Sequence, residues 1–305
     1  MSPIHIGTSD VKINYGVKTA APTSPSPTEG SEYWHKTKNK KYIYDGTDWN
    51  SVDVTQPYTG GASTHWWTQE GLTGNDGWTA TKGSKNLTRY QDDQLTYVAS
   101  DSNFNNKKSI GLTSAQNSYL AYKGSNNDFW NAKNEAFSIA IVTRKTFSSH
   151  SFGVGDALFS HCDSFTTHTA TWSFEPCGDH IWTDGGEHWD DDNAANMPGG
   201  ASGLPWTGIY FLKFNSSGNG GAYWWNKGSS TSSWTTLGTA SSWPSTITAS
   251  SMEGISFFMG PHATATNHRY QGIAADIIYW KGSSISDTER DAYKNWAVEE
   301  YGLDS

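Results

Sequence analysis

Only two cysteines, Cys162 and Cys177, occur in 305 residues, and only 17% of the side chains carry charge. So few thiols exclude a disulfide-dense scaffold. His161, Cys162, Cys177 and His180 are loosely grouped, but their spacing fits no standard zinc pattern. The two cysteines stand in stretches that would form a hairpin; a bridge between them and a pair of reduced, buried thiols are both open, and the thiols are preferred. No basic run appears beyond Lys36 to Lys41 and the net charge is −9, whereas a phosphate backbone needs clustered Lys and Arg. Nucleic acid is therefore excluded as a partner. No apolar stretch is long enough to span a bilayer, which argues against membrane insertion. Met1 to Val17 also lacks the continuous apolar run of an export signal. G-x-S-x-G, the P-loop and the G-x-G-x-x-G cofactor turn are all missing.

What the chain has in quantity is aromatic. Hydrophobic residues reach only 35%, yet there are 16 Trp, 15 Tyr and 12 Phe. The core is therefore to be built largely from rings. The 31 Gly, with abundant Ser, Thr and Asn, point to many turns joining short strands. Runs rich in β-branched and aromatic residues recur between this punctuation, at 137–147, 157–162, 169–176, 208–215, 221–228 and 254–260. That rhythm predicts an all-β sandwich rather than βαβ units. One helix is expected, near the end. Ser286 and Glu289 form an S-x-x-E capping box, Ala292, Tyr293, Trp296 and Ala297 make an apolar stripe, and Gly302 stands at the C-terminal cap.

Residues 1–58 read differently from 59–305. A short β-like start leads to a linker in which Pro22, Pro25 and Pro27 favour an extended chain. A hairpin is expected next, with Tyr33 and Trp34 in one strand and Tyr42 to Tyr44 in the other. Asp45-Gly46 is a turn signal, and Trp49 opens a further strand. The set Trp34, Tyr42, Tyr44, Asp45, Gly46 and Trp49 resembles a small module that recurs in tail-fibre and other appendage proteins of bacteriophages. The resemblance, with the missing export signal, implies a virion-surface structural protein assembled in the host, with residues 1–58 contacting other virion proteins. A tail fibre is the first expectation and a head-decoration protein the second; a free lectin-like module is the third.

The closing stretch from Gly272 to Gly302 resembles the end of laminin G-like, concanavalin A-type domains. The matching positions include Ile273, Ala274, Asp276, Ile277, Ile278 and Tyr279, then Ser286, Asp287, Glu289, Arg290 and Tyr301. Weaker likeness extends upstream, to a strand pair in 105–122, where Leu112 replaces the family's usual Phe, and to a pair ending at Asn226. This implies a two-sheet antiparallel jelly-roll over residues 59–305, with the C-terminal α-helix packed on an edge and a small β segment ahead of it.

Some sandwiches of this kind hydrolyse glycosides, which needs two carboxyls flanking the bond. The alternating E-x-D-x-x-E strand of the glucanases is missing, so a non-enzymatic protein is expected. The densest acidic run holds Glu187, Asp190, Asp191 and Asp192. Three consecutive acids cannot share one strand face, so the run reads as a loop. It is a solvated loop or, alternatively, a Ca²⁺ site with Asp190, Asp192 and Asn193 as ligands. Host-glycan binding would use ring stacking, with Trp189, Trp206, Trp224 and Trp225 as candidates and Trp234 and Trp243 behind them; each is also a candidate for the core. Weak single-site sugar binding favours repetition, hence a homo-oligomer, with a trimer expected.

Overall fold

The computed structural model describes residues 13–35, 40–52, 58–90, 94–112, 118–124, 128–129, 135–145, 157–164, 169–175, 180–183, 186–189, 206–228, 233–242, 254–258 and 270–304. The chain divides into two compact units, Met1–Thr59 and Gly60–Ser305.

The first unit is a four-stranded sheet in sequence order, β1 (Asn14–Lys18), β2 (Glu32–His35), β3 (Lys40–Tyr44) and β4 (Trp49–Val52). β1 and β2 run parallel, and the other pairs are antiparallel. Rings join it on one face. Tyr33 stacks on Tyr42 at 5.1 Å and meets the edge of Trp49 at 4.8 Å, and Tyr15 and Tyr44 also lie against Trp49. The turn between β3 and β4 is held by Asp45, whose Oδ1 accepts from the amides of Thr47 and Asp48. Those donors hold the Asp45 carboxyl below its ordinary pKa. Gly46 supplies the left-handed φ of 98° that follows.

The second unit is a sandwich of two eight-stranded sheets. One, here the covered sheet, contains β5 (His65–Trp67), β8 (Thr96–Asp101), β9 (Lys107–Gly111), β11 (Phe137–Lys145), β16 (Trp206–Phe214), β17 (Asn219–Asn226), β18 (Thr235–Ser241) and β20 (Gly272–Lys281). Its order is β18-β17-β16-β11-β20-β9-β8, with β5 also paired to β20. The other, the trough sheet, contains β6 (Gly77–Trp78), β7 (Leu87–Tyr90), β10 (Tyr119–Lys123), β12 (Phe159–Ser164), β13 (Thr169–Glu175), β14 (His180–Thr183), β15 (Gly186–Trp189) and β19 (Gly254–Phe257), in the order β15-β14-β13-β12-β19-β10-β7-β6. All pairings in both are antiparallel. The all-β sandwich with one terminal helix is thus the fold observed. The strand pair expected in 105–122 is split: β9 lies in one sheet and β10 in the other.

The core between the sheets is aromatic. Phe137, Phe159, Tyr210, Phe214, Phe257 and Tyr279 are fully enclosed within it. His161 sits among them, its Nε2 within 2.9 Å of the Tyr279 hydroxyl and its ring edge-on to Phe137 and Phe159. Burial keeps this imidazole well below its ordinary pKa, hence neutral.

Helix α1 (Asp287–Glu300) starts where Ser286 Oγ accepts from the Glu289 amide at 3.2 Å. It ends at Tyr301, followed by Gly302 at φ 59°, while the Leu303 amide donates to the Val298 carbonyl. The buried face runs through Tyr293, Lys294 and Ala297, whereas Ala292 is exposed. The resemblance placed this helix on an edge, and the structure corrects that. It lies over the outer face of the covered sheet, where Trp280 meets Tyr293 and Trp66 meets Trp296 edge to face, at 6.0 and 5.0 Å. That is why β11 and β20 read as nearly unbroken apolar runs: both of their faces are buried.

Candidate functional site

The covered sheet is closed chemically as well as sterically. Asp276, on its outer face, is wholly buried. The Trp66 indole N–H donates to both carboxyl oxygens, at 2.9 and 3.0 Å. Tyr293 and Tyr301 donate their hydroxyls at 2.7 and 2.9 Å. The carboxyl thereby ties β5, β20 and α1 together. Desolvation outweighs these three donors and pushes its pKa up to about 7. Nearby, the Arg290 guanidinium lies over the rings of Trp234 and Tyr223, at 5.2 and 5.4 Å. Trp234 also donates to Asp291, so this ring fastens the helix.

The outer face of the trough sheet is different. Cross-strand register sets Gly77 opposite Thr88, Thr88 opposite Ala121, Ala121 opposite Ser256, and Ser256 opposite Ser160. Directly opposed residues in an antiparallel sheet share a face. Five strands therefore contribute one transverse row of small residues, and the same register runs on to Ser173 of β13. A neighbouring row holds Lys123, Gly254 and Cys162. On the other side stand Tyr119 and Tyr90, opposed in register and stacked at 5.6 Å with ring planes 12° apart. Burial raises both phenol pKa values, so both are neutral.

Within this trough Cys162 Sγ lies 3.3 Å from Ser256 Oγ. Ser160 Oγ is buried and has no hydrogen-bond partner among the described residues. Exposure rises along the row: Ser160, Ser256 and Ala121 are enclosed, while Thr88 and the flanking Lys123 reach solvent. A third polar cluster lies apart from both faces. There Lys85 Nζ contacts Asp128 Oδ1 at 2.8 Å and donates to Tyr122 OH at 3.0 Å, and that hydroxyl donates to Asp128 Oδ2 at 2.9 Å. The closed triangle pins residue 128 to β10.

Of the tryptophans singled out from sequence, Trp206, Trp224 and Trp225 do not form a platform. Trp206 and Trp224 point into the core, ring to ring at 4.8 Å. Trp225, on the opposite face of β17, is also buried. None of the three presents a ring face to solvent, because each faces another packed layer. Trp189 ends β15, where the side chain lies outside the described residues, as do Asp190, Asp192, Asn193 and Trp243. Among the described residues no group of three or more His, Cys, Asp and Glu could hold a metal ion. Cys162 is buried, and Cys177 lies outside the described residues. No helix of the described residues is long and apolar enough to cross a membrane.

The architecture defines the unit as a β-sandwich, and a known structure shares it. An arabinofuranosidase solved with arabinofuranosyl-α-1,2-xylobiose superposes with a TM-score of 0.53 at 11% identity, over 90% of this chain and 58% of that one. The binding domain of botulinum neurotoxin DC, solved in complex with SialylT, gives 0.49 at 14% identity, over 78% and 52%. A sialidase of Trypanosoma rangeli in complex with sialic acid gives 0.45 at 8%, over 78% and 33%. The chain thus spans little more than half of the first two. No family model and no curated protein matches the sequence.

Proposed function

We propose that residues 60–305 are a non-catalytic glycan-binding sandwich, displayed on a virion as part of a phage tail fibre or similar appendage. The observation that carries the binding reading is the trough. One outer face of the sandwich is occupied by α1, whereas the other carries a row of small hydroxyl and methyl side chains beside a stacked tyrosine pair, enclosed at Ser160, Ser256 and Ala121 and open to solvent at Thr88. The arabinofuranosidase of similar fold was itself solved with an oligosaccharide. The display reading draws on the aromatic hairpin of the first unit, with Trp34, Tyr42, Tyr44 and Trp49 at the positions of the appendage module.

Single glycan sites often bind near the millimolar range, about −4 kcal/mol. Repetition on a particle raises the effective concentration of a second contact, so a homo-oligomer, a trimer first, belongs to this reading. The test is a glycan array probed with the full chain and with Thr88→Trp, a change at the solvent-exposed end of the row. Binding that this substitution abolishes supports the reading; binding to no glycan overturns it. Release of reducing sugar from a bound polysaccharide would overturn the non-catalytic part. Gold-labelled antibody against the sandwich, imaged on purified particles, tests display: label on tails supports a fibre, label spread over heads replaces it with decoration, and particles without label refute the virion reading.

A further inference from the structure

We infer that Arg144, Thr207 and Lys227 form an oxyanion-binding site at the rim of the covered sheet, where α1 ends. It lies on the outer face opposite the trough and does not depend on the glycan reading. Arg144 and Thr207 are directly opposed on β11 and β16. The Lys227 amide donates to the Thr207 carbonyl at 2.8 Å, one step beyond the opposed pair Gly208 and Asn226. Opposed residues share a face. The core takes Ile139, Ile141, Trp206, Tyr210 and Trp224, so alternation sends Arg144, Thr207 and Lys227 to the outer face. Two strand spacings, about 10 Å, separate the Arg144 and Lys227 backbones, with the threonine between them.

The two charges lean together. Lys227 Nζ donates to the Asn103 carbonyl at 3.4 Å. Asn103 belongs to the single helical turn Ser102–Phe104 ahead of β9, and β9 lies beyond β16, β11 and β20 from β17. Phe104 and Tyr301 meet edge to face at 6.3 Å, which sets this turn beside the end of α1. To reach it, the lysine side chain leans across Thr207 toward Arg144. Both cations are half-buried, and Arg144 Nε is enclosed without a hydrogen-bond partner among the described residues. The other two described arginines have carboxylates, Arg89 with Asp76 and Arg290 with Asp287 and Asp291. Acids are in excess in this chain, 30 against 21 Lys and Arg. Yet among the described residues no carboxylate pairs with Arg144 or Lys227. The acids of the neighbouring elements are engaged elsewhere: Glu300 with Lys107 at 2.7 Å, and Asp101 with the Asn103 amide and Ser109. A guanidinium fork and an ammonium beside a hydroxyl, with no internal anion, suit an oxyanion from outside. The fork takes two of its oxygens and the ammonium adds a point charge.

The experiment is calorimetric titration of the full chain with sodium phosphate, sulfate and acetate at constant ionic strength, with chloride as the reference. Thermal melts in the same salts run beside it. An oxyanion is expected to bind at about millimolar concentration and to raise Tm as a ligand of the folded state does. Arg144→Gln is expected to weaken binding about tenfold or more, and Lys227→Gln by about threefold to tenfold. Lys18→Gln, on the exposed end of β1, leaves it unchanged. Melts in chloride show that each variant is folded, and Lys227→Gln carries the test if Arg144→Gln is not. The rank order assigns the source: acetate first means a ligand carrying a carboxylate, and sulfate or phosphate first means an ester of either. No binding of any oxyanion, or chloride equal to them, would overturn the inference. So would an affinity that Arg144→Gln or Lys227→Gln leaves unchanged, or an equal loss on Lys18→Gln, which would mark a general charge effect.

Discussion

The buried carboxyl of Asp276 makes folding stability depend on pH in a direction opposite to most acidic groups. Its pKa is about 7 in the fold, against an ordinary 3.8. The native state therefore holds this proton more tightly than the unfolded chain. Below pH ~4 both states are protonated and nothing is lost. Between ~4 and ~7 stability falls as pH rises, by up to ~1.4 kcal/mol per unit, and above ~7 the loss is complete at ~4 kcal/mol. Neutral His161, and His65, whose pKa burial also lowers, act the other way, their contribution falling away as pH drops below 6.5. The comparison that isolates the acid is Asp276→Asn against the parent, by urea unfolding from pH 4.5 to 8.5. Asn cannot titrate, so the histidine contributions cancel in the difference. The variant's stability relative to the parent should rise with pH and level off near 7. Tyr293→Phe removes one charge-assisted donor and should cost ~1.5–3 kcal/mol at pH 8 but less at pH 5. Parallel pH curves for parent and Asp276→Asn would refute the reasoning.

Ser286→Ala removes the helix cap and should cost ~1 kcal/mol in the same assay, with α1 fraying first in amide exchange. Gly83 has φ 81°, and an added Cβ would stand 2.5 Å from His65 Nδ1 and 2.7 Å from the Thr64 carbonyl. Gly83→Ala should therefore destabilise by more than the ~1–2 kcal/mol of a left-handed backbone alone, read as a fall in Tm. Trp49→Ala strips the rings of Tyr15, Tyr33 and Tyr44 of their shared partner and should cost ~3–5 kcal/mol within the first unit. Limited proteolysis should then cut within 1–59 while 60–305 stays intact.

What was legible in the sequence was what is local. The α1 cap needs only Ser286 and Glu289, three positions apart, and β16 and β17 need only their own apolar runs and the turn between them. Long-range features left weaker traces. Asp276 stands as an acid inside an apolar strand, which is a signal, but one of its donors, Trp66, is 210 positions away. The helix stripe was misread at Ala292 and Lys294, since which side of α1 is buried depends on where the sheet lies. The tryptophans near turns looked available for stacking because one sequence does not show how many layers enclose a strand. Trp224 and Trp225 alternate across β17 and would normally divide between core and solvent. Here both are buried.

Distance along the chain also explains why the candidate site escaped notice. Gly77, Thr88, Ala121, Ser160 and Ser256 are ordinary residues spread over 180 positions of chain, and none suggests chemistry alone. They become a floor only when five strands fix one register. Rings signal themselves in a sequence, but in this fold most of the described ones are spent on cohesion. With α1 over the covered sheet, the proposed glycan binding rests on the outer face of the trough sheet, where the row is enclosed at Ser160, Ser256 and Ala121 and open at Thr88.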